Sequence, residues 1–262
     1  MIISLKGKTA LVCGGSDGIG KATAIGLANA GATVILAART EDKLKAALAA
    51  LSVDNNQRHS YVVIDMDQPE NLKAKVEQLI AEKGNIDILI NNAGGPPGGP
   101  ITDADGQQFL LAFQRLLLSA QAITQACYPG MKAAGFGRII NIISTSVKAP
   151  LHGLGVSNTI RGAVGNWAKT WANEAAKFGV TVNNVLPGAT ETDRLVSIIK
   201  NKAEKTGKSI DEISAEMRKE VPADRFAKPE EVAAAAVFLA SEQAAYINGI
   251  NIPVDGGRTP SL

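Results

Sequence analysis

Short runs of apolar, largely β-branched residues alternate along this chain with longer stretches in which apolar residues recur every three or four positions. The short runs are typical of buried strands, and the longer stretches are typical of helices. Apolar strands separated by helices predict a parallel sheet that is covered on both faces. Seven such units favour an open, doubly wound α/β sheet, whereas eight would have indicated a barrel. The predicted strands are Thr9–Cys13, Thr33–Ala38, Tyr61–Asp65, Ile86–Asn91, Arg138–Ser144, Val180–Pro187 and Gly249–Asp255.

Length and composition predict one domain over residues 1–262, since 45% of the residues are hydrophobic and no linker interrupts the pattern. The net charge is +2 and the basic residues are scattered, which argues against nucleic-acid binding. A membrane span needs about 20 consecutive apolar residues, and the sequence has no such stretch. We therefore expect no membrane association.

The two cysteines, Cys13 and Cys127, lie in an apolar run and a helical run. This placement predicts buried free thiols rather than a disulfide. With only His59 and His152 to accompany them, they form no zinc-binding pattern, so we expect no metal. These features predict a reducing, cytoplasmic location.

Glycines at positions 14, 18 and 20 follow the first predicted strand and open the first predicted helix. Glycine lets a phosphate approach the N–H groups of a helix N-terminus closely. A tight strand–helix turn also favours glycine, but at the first turn of a doubly wound sheet the pattern predicts a dinucleotide pyrophosphate site.

The second predicted strand ends in Ala38, Arg39 and Thr40. A cofactor with a free ribose 2′-hydroxyl favours an acidic residue at the position of Ala38, and none is present. A guanidinium and a hydroxyl suit a 2′-phosphate instead. The sequence thus favours NADP(H) over NAD(H), with a surface arginine at a strand end as the alternative.

A strongly charged segment, Thr192–Pro222, separates the last two predicted strands. Its apolar residues fit two short amphipathic helices. Inserted at the carboxyl edge of the sheet, residues of about 193–222 would form a lid over the crevice, or an ordinary pair of surface helices.

Taken together, these motifs resemble the short-chain dehydrogenase/reductase family, in its branch of about 250 residues. They occur in family order and cover essentially the whole chain: Gly14–Gly20, Asp65, Asn91–Gly94, Ser144, Pro187–Thr192, Arg225–Ala233 and Val254–Gly257. The resemblance implies a Rossmann-like fold and places the adenine by Asp65 and Met66, and the ribose by Asn91–Gly94. The cofactor residues that it implies are Gly14, Ser16, Asp17, Gly18, Ile19, Gly20, Arg39, Thr40, Asp65, Met66, Asn91, Ala93, Gly94, Arg161, Pro187, Gly188, Thr190 and Thr192.

The family reduces carbonyls or oxidises alcohols with an Asn, Ser, Tyr, Lys tetrad, and this chain matches only the serine, Ser144. Ser157 stands where the tyrosine belongs, Arg161 where the lysine belongs, and Leu116 where the asparagine belongs, to within one residue. Ser157 and Arg161 lie one turn apart in a predicted helix, so they project from the same side. A serine hydroxyl is a poor general acid, and an arginine with a pKa above about 12 does not shuttle protons.

Three interpretations of the altered tetrad remain open. In the first, Ser144 and Ser157 bind the carbonyl oxygen while Arg161 stabilises the negative charge that develops there, and His152 or water is the proton donor. Alternatively, Arg161 binds an anionic group of the substrate, for a reduction or a non-redox activity. In the third, the protein binds NADP(H) with little turnover, as a sensor or a partner subunit. We favour hydride transfer, because the nucleotide motifs and Ser144 are complete.

The resemblance leaves the substrate open, with 3-oxoacyl thioesters and small ketones among the candidates. The loop at Gly94–Pro100 would form a wall of the substrate pocket, or simply connect a strand and a helix. The resemblance also implies a homotetramer or dimer that packs through the helices of Asp105–Met131 and Gly153–Phe178.

Overall fold

A computed structural model describes residues 2–261. Within them, seven strands form one parallel sheet and nine α-helices flank it. The strands are β1 (Thr9–Cys13), β2 (Thr33–Ala38), β3 (Ser60–Val63), β4 (Ile88–Asn91), β5 (Gly137–Ile142), β6 (Val180–Pro187) and β7 (Asn251–Val254). The helices are α1 (Gly18–Asn29), α2 (Glu41–Leu48), α3 (Pro69–Lys83), α4 (Gly106–Phe113), α5 (Ser119–Ala134), α6 (Gly155–Ala175), α7 (Asp193–Thr206), α8 (Ile210–Lys219) and α9 (Pro229–Leu239).

The strand order is β3-β2-β1-β4-β5-β6-β7, with every neighbouring pair parallel. This confirms the doubly wound, Rossmann-like sheet predicted from the alternation. Several strands are shorter than predicted; β5, for example, ends at Ile142 rather than Ser144. Ser144 therefore lies beyond the end of its strand, at the carboxyl edge of the sheet. In such a sheet, ligands bind at that edge beside the point where the order reverses, here between β1 and β4.

Two apolar layers cover the two faces of the sheet. One packs β1, β2 and β4 against α1 and α9, with Leu27 and Leu36 fully buried. The other packs the opposite face against α3, α5 and α6 and includes both cysteines. Cys13 and Cys127 are buried free thiols, as predicted, and burial raises the pKa of both, to about 12 for Cys13. Removing most of a buried leucine side chain costs about 2–5 kcal/mol, so these layers hold the strand ends in fixed positions.

The segment between β6 and β7 forms two amphipathic helices, as predicted, in α7 and α8. Their apolar sides meet in a small separate cluster that includes Leu195, Ile199, Ile213 and Met217. Capping stabilises the N-termini of both helices. Thr192 Oγ1 accepts a hydrogen bond from Leu195 N at the start of α7, and Ser209 forms a capping box with Glu212 at the start of α8. In the part of the chain that the structure describes, no helix is long and apolar enough to cross a membrane.

Candidate active site

The glycine-rich turn lies between β1 and α1 at the point where the strand order reverses. Gly14 and Gly18 have φ values of +60° and +49°, a region that glycine enters without strain. A Cβ on Gly20 would lie 2.1 Å from the carbonyl oxygen of Gly14, and one on Gly14 would lie 2.7 Å from the Asn92 side chain. The turn therefore requires glycine for its own packing as well as for access to the helix N-terminus. It contains all the predicted residues Gly14, Ser16, Asp17, Gly18, Ile19 and Gly20.

The segment after β6 faces this turn across the crevice. A Cβ on Gly18 would lie 3.1 Å from Thr192 Cγ2. The hydroxyl of Thr190 donates to the carbonyl of Gly188 at 3.1 Å, and that of Thr192 donates to the carbonyl of Thr190 at 3.2 Å. The structure thus brings the predicted residues Pro187, Gly188, Thr190 and Thr192 to the edge opposite the glycine turn.

The end of β2 carries Arg39, whose side chain is 66% exposed and whose Nη1 lies 3.5 Å from Asp67 Oδ2. The stronger partner of Asp67 is Arg115, which donates from Nη2 at 2.8 Å and also from Nε. This bidentate contact holds the pKa of Asp67 below its usual value. Arg115 thus compensates the charge of Asp67, and Arg39 stays exposed with only a long contact to that carboxylate. Thr40 begins α2 without a capping bond from its hydroxyl, and Asp65 accepts from Asp67 N at 3.0 Å.

A pocket of about 30 Å³, enough for about one water molecule, lies at the carboxyl ends of β4 and β5. The predicted residues Met66, Asn91, Ala93, Leu116 and Arg161 all line it. Gly94, the next residue along, is exposed.

Four asparagines form a ladder across the sheet just below this pocket. Side-chain amides connect Asn91 to Asn141 at 2.9 Å, Asn141 to Asn184 at 2.8 Å and Asn184 to Asn251 at 2.8 Å. The four residues belong to four neighbouring strands. The ladder therefore helps to hold the ends of these strands in register with one another. At its inner end, Asn91 Oδ1 is buried without a hydrogen-bond partner among the described residues. A buried acceptor of this kind fits a ligand hydroxyl.

Ser144, Ser157 and Arg161 form a polar ledge beside the pocket. Arg161 donates from Nε to Ser157 Oγ at 3.3 Å and from Nη1 to the carbonyl of Ile143, the residue before Ser144. Ser144 Oγ accepts from the backbone N–H of Ser146 at 3.1 Å. Both serine oxygens therefore accept a hydrogen bond from nitrogen, which leaves each hydroxyl proton to be donated elsewhere. The prediction that Ser157 and Arg161 share one helix side is confirmed.

Burial, together with the smaller effect of the nearby Arg194 charge, lowers the pKa of Arg161 to about 10. At neutral pH the side chain is still a cation. Arg194, in the first turn of α7, donates from Nη2 to the carbonyl of Pro96 at 2.6 Å. A Cβ on Gly95 would lie 3.1 Å from Arg161 Nη2 and 3.7 Å from Arg194 Nη2. The two guanidiniums thus approach each other over Gly95.

Leu116 lies in a π-helical turn, Gln114–Leu118, which connects α4 and α5. Arg115 points to Asp67, whereas Leu116 is buried and lines the pocket. His152 is exposed on the loop before α6. Sequence reasoning missed Arg194 and Asn92, because nothing local to either residue shows which side chain it meets.

Comparisons with known proteins agree with this geometry. Residues 14–259 match a family model described as enoyl-(acyl carrier protein) reductase. The 3-oxoacyl-(acyl-carrier-protein) reductase of Vibrio cholerae is 35% identical over 257 residues, covering 97% of this chain and 98% of the relative. The gluconate 5-dehydrogenase of Gluconobacter oxydans is 33% identical, covering 100% and 98%. Among solved structures, the L-sorbose reductase of Gluconobacter frateurii, complexed with NADPH and L-sorbose, superposes with a TM-score of 0.93, 34% identity and full coverage of both chains.

Proposed function

The chain belongs to the short-chain dehydrogenase/reductase family, and from that membership we propose that it is an NADP(H)-dependent oxidoreductase acting on the carbonyl or alcohol group of a small molecule. The observation that carries the proposal is the glycine turn of Gly14–Gly20, where a Cβ on Gly20 would collide with the backbone of Gly14. A turn this close to the N-terminus of α1 leaves N–H groups for a pyrophosphate. Support also comes from the similar L-sorbose reductase, which was solved with NADPH.

Preference for the phosphorylated dinucleotide follows from the end of β2. Arg39 is exposed and only weakly held by Asp67, so its guanidinium is available to bind a 2′-phosphate bidentately. Thr40, whose hydroxyl is not used in capping α2, would add a second donor. Because Arg115 compensates Asp67, that carboxylate does not repel the phosphate strongly.

The remaining cofactor residues fit the rest of the dinucleotide. Asp65 and Met66 would lie by the adenine, and Asn91, Ala93 and Gly94 would lie by a ribose. The unpartnered Asn91 Oδ1 can accept a hydrogen bond from a hydroxyl of that ribose. The edge opposite the glycine turn, formed by Pro187, Gly188, Thr190 and Thr192, would hold the nicotinamide half.

The catalytic step uses the polar ledge. Bound NADP(H) supplies or accepts a hydride at its nicotinamide ring. Ser144 and Ser157 donate their free hydroxyl protons as hydrogen bonds to the carbonyl oxygen. Arg161 stabilises the negative charge that develops there, as oxyanion-binding groups do.

Proton transfer differs from that of relatives with the Tyr/Lys pair. Neither serine nor Arg161 exchanges a proton readily at neutral pH, so the oxygen takes its proton from water or from His152 on the neighbouring loop. Leu116 makes the pocket wall apolar where the family asparagine is expected. We expect slow turnover with a shallow pH profile for this reason.

A dinucleotide-binding protein with little turnover is the second candidate, and the absence of a neutral-pH acid among Ser144, Ser157 and Arg161 favours it. The discriminating assay is NADPH oxidation against a panel of ketones, sugars and 3-oxoacyl thioesters, with the double variant Ser157→Tyr/Arg161→Lys beside the wild type. Wild-type activity that the double variant abolishes supports the Ser/Arg ledge as a working catalyst. An inactive wild type whose double variant gains turnover identifies a binding protein that has lost its catalyst.

We also infer a homodimer or homotetramer that packs through the α4–α5 region and α6. Leu110, Leu111, Phe113 and Leu118 are 57%, 45%, 36% and 38% exposed along one stretch of this region. Exposed large apolar groups at this density are typical of protein–protein contacts. Light scattering over a range of concentrations tests the assembly.

A further inference from the structure

Two arginines from distant parts of the chain converge beside the catalytic ledge. Arg161 uses Nε and Nη1 on Ser157 and the Ile143 carbonyl, and its Nη2 faces Gly95. Arg194 reaches over from α7, with Nη2 on the Pro96 carbonyl and close to the same point above Gly95. Gly95 presents no side chain there, so the two cations face a common space.

Within the part of the chain that the structure describes, this pair of cations has no carboxylate partner. Among residues 2–261, neither Arg161 nor Arg194 forms an ion pair with a carboxylate. The other arginines of this edge differ, since Arg39 and Arg115 share Asp67. Desolvation lowers the pKa of both Arg161 and Arg194, and the charge of another arginine lowers each further, that of Arg194 for Arg161 and that of Arg115 for Arg194. Uncompensated cations held this close to each other are stabilised by a bound anion.

We propose that Arg161 and Arg194 together bind the carboxylate of a short oxo acid, whose carbonyl lies against Ser144 and Ser157. The proposal deepens the proposed oxidoreductase function and rests on it. In the reduction, bound NADPH would supply a hydride to the carbonyl carbon and water would supply a proton to the oxygen, so the products would be the hydroxy acid, NADP⁺ and hydroxide. The carboxylate is unchanged and serves only for binding.

The shared guanidinium limits the length of the substrate. The Nε of Arg161 contacts the ledge at Ser157, and the Nη2 of the same planar group faces the anion space over Gly95. A carbonyl and a carboxylate that are close in the substrate fit this arrangement best, so we expect 2-oxo and 3-oxo acids to be preferred over oxo acids of longer spacing.

The other anion of this site is the cofactor itself. Its pyrophosphate is assigned to the glycine turn, whereas Arg161 is hydrogen-bonded to the Ile143 carbonyl at the ledge. If Arg194 instead binds a phosphate of the cofactor, its replacement changes the affinity for NADPH. The experiment therefore measures the Kd of NADPH separately from the binding of the acids.

The test compares 2-oxobutanoate and 3-oxobutanoate with their methyl esters, which keep the carbonyl and lose the charge. The variant is Arg194→Leu, which removes the guanidinium from an exposed residue of α7. The matched control is Lys200→Leu, which removes a positive charge from an exposed position on the same helix. The readouts are KM and kcat with NADPH, calorimetric binding of each compound to the NADP⁺-loaded protein, and the Kd of NADPH.

For the wild type we expect the acids to bind about tenfold or more tightly than the esters, since a charged hydrogen bond contributes at least this factor. Arg194→Leu is expected to raise KM and Kd for the acids about ten- to hundredfold, with no change for the esters or for NADPH. Lys200→Leu is expected to leave all values unchanged. Equal affinity for acid and ester, or an Arg194→Leu effect on NADPH alone, overturns the proposal.

Failure of the proposed function gives a different result. If the protein binds NADP⁺ but reduces neither compound, the proposed activity fails. Calorimetry then still decides the carboxylate proposal, which tighter binding of the acid than of its ester supports and equal binding overturns. A protein that binds no dinucleotide refutes the oxidoreductase assignment, while titration of the free protein with 2-oxobutanoate decides whether the arginine pair binds carboxylates.

Discussion

Replacing Arg115 by leucine isolates the electrostatic basis of cofactor preference. Arg115 contacts Asp67 through two nitrogens and lies outside the predicted phosphate site, whereas Arg39 is the proposed phosphate ligand and lies 3.5 Å from the same carboxylate. Without Arg115, the Asp67 charge is compensated by Arg39 alone. A 2′-phosphate bound to Arg39 then lies beside a carboxylate that shares this one guanidinium with it.

The size of the effect follows from this geometry. A phosphate on Arg39 lies about 6 Å from Asp67, and its charge of about −2 at high dielectric gives a repulsion of about 1.4 kcal/mol before salt screening. Screening at physiological salt reduces this repulsion to less than about 1 kcal/mol. A loss of this size corresponds to an increase of about three- to fivefold in the Kd of NADPH. NADH lacks the phosphate, so its affinity is expected to stay constant.

The assay is fluorescence or calorimetric titration with NADPH and NADH at low and physiological salt. We expect Arg115→Leu to weaken NADPH binding selectively, with a larger effect at low salt. The double variant Arg115→Leu/Asp67→Asn is expected to restore NADPH affinity, because the repelling charge is removed. Equal weakening of both dinucleotides, or a double variant without recovery, refutes the reasoning.

Three further predictions concern the nucleotide end and acid stability. Arg39→Leu is expected to lower the preference for NADPH over NADH about ten- to hundredfold in titrations. Gly20→Ala is expected to abolish dinucleotide binding and lower the melting temperature, because its Cβ would lie 2.1 Å from the Gly14 carbonyl. Glu231 accepts two 2.7 Å bonds from Arg225, which lowers the pKa of that carboxyl from 4.5 to about 2. Its folded-state pKa is depressed, so its contribution to stability is present above pH 4.5 and is lost as the pH falls through about 2. Melting curves of Glu231→Gln are thus expected to differ from wild type at pH 6 and to converge with it near pH 2.

Matched substitutions control each of these three. Arg58→Leu removes an exposed arginine away from the crevice and is expected to leave the NADPH preference unchanged. Gly106→Ala adds a methyl group in open space at the start of α4 and is expected to be tolerated. Glu230→Gln removes a neighbouring exposed carboxylate in the same helical turn and tests whether the acid effect is specific. The assigned roles would be contradicted if Arg58→Leu lowered the NADPH preference as Arg39→Leu does, or if Gly106→Ala abolished dinucleotide binding as Gly20→Ala does.

The sequence by itself determined the features that depend on short-range pattern. Alternating apolar runs fixed the parallel sheet, since a strand that is apolar on both faces has to be covered by helices on both sides. The glycine turn was predictable because its spacing, its φ angles and its place after β1 are local properties. Helical periodicity placed Ser157 and Arg161 on one side, and the 3.3 Å contact between them follows from that spacing.

Only the tertiary structure decided which distant charges meet. The Arg115–Asp67 contact joins residues 48 positions apart, and the approach of Arg194 to Arg161 over Gly95 depends on where the inserted helices pack. The position of Leu116 in the pocket wall depends on a π-helical turn that no apolar pattern marks. Strand order and helix packing bring these groups together, and each contact depends on residues far away in the chain, so no window of local sequence contains it.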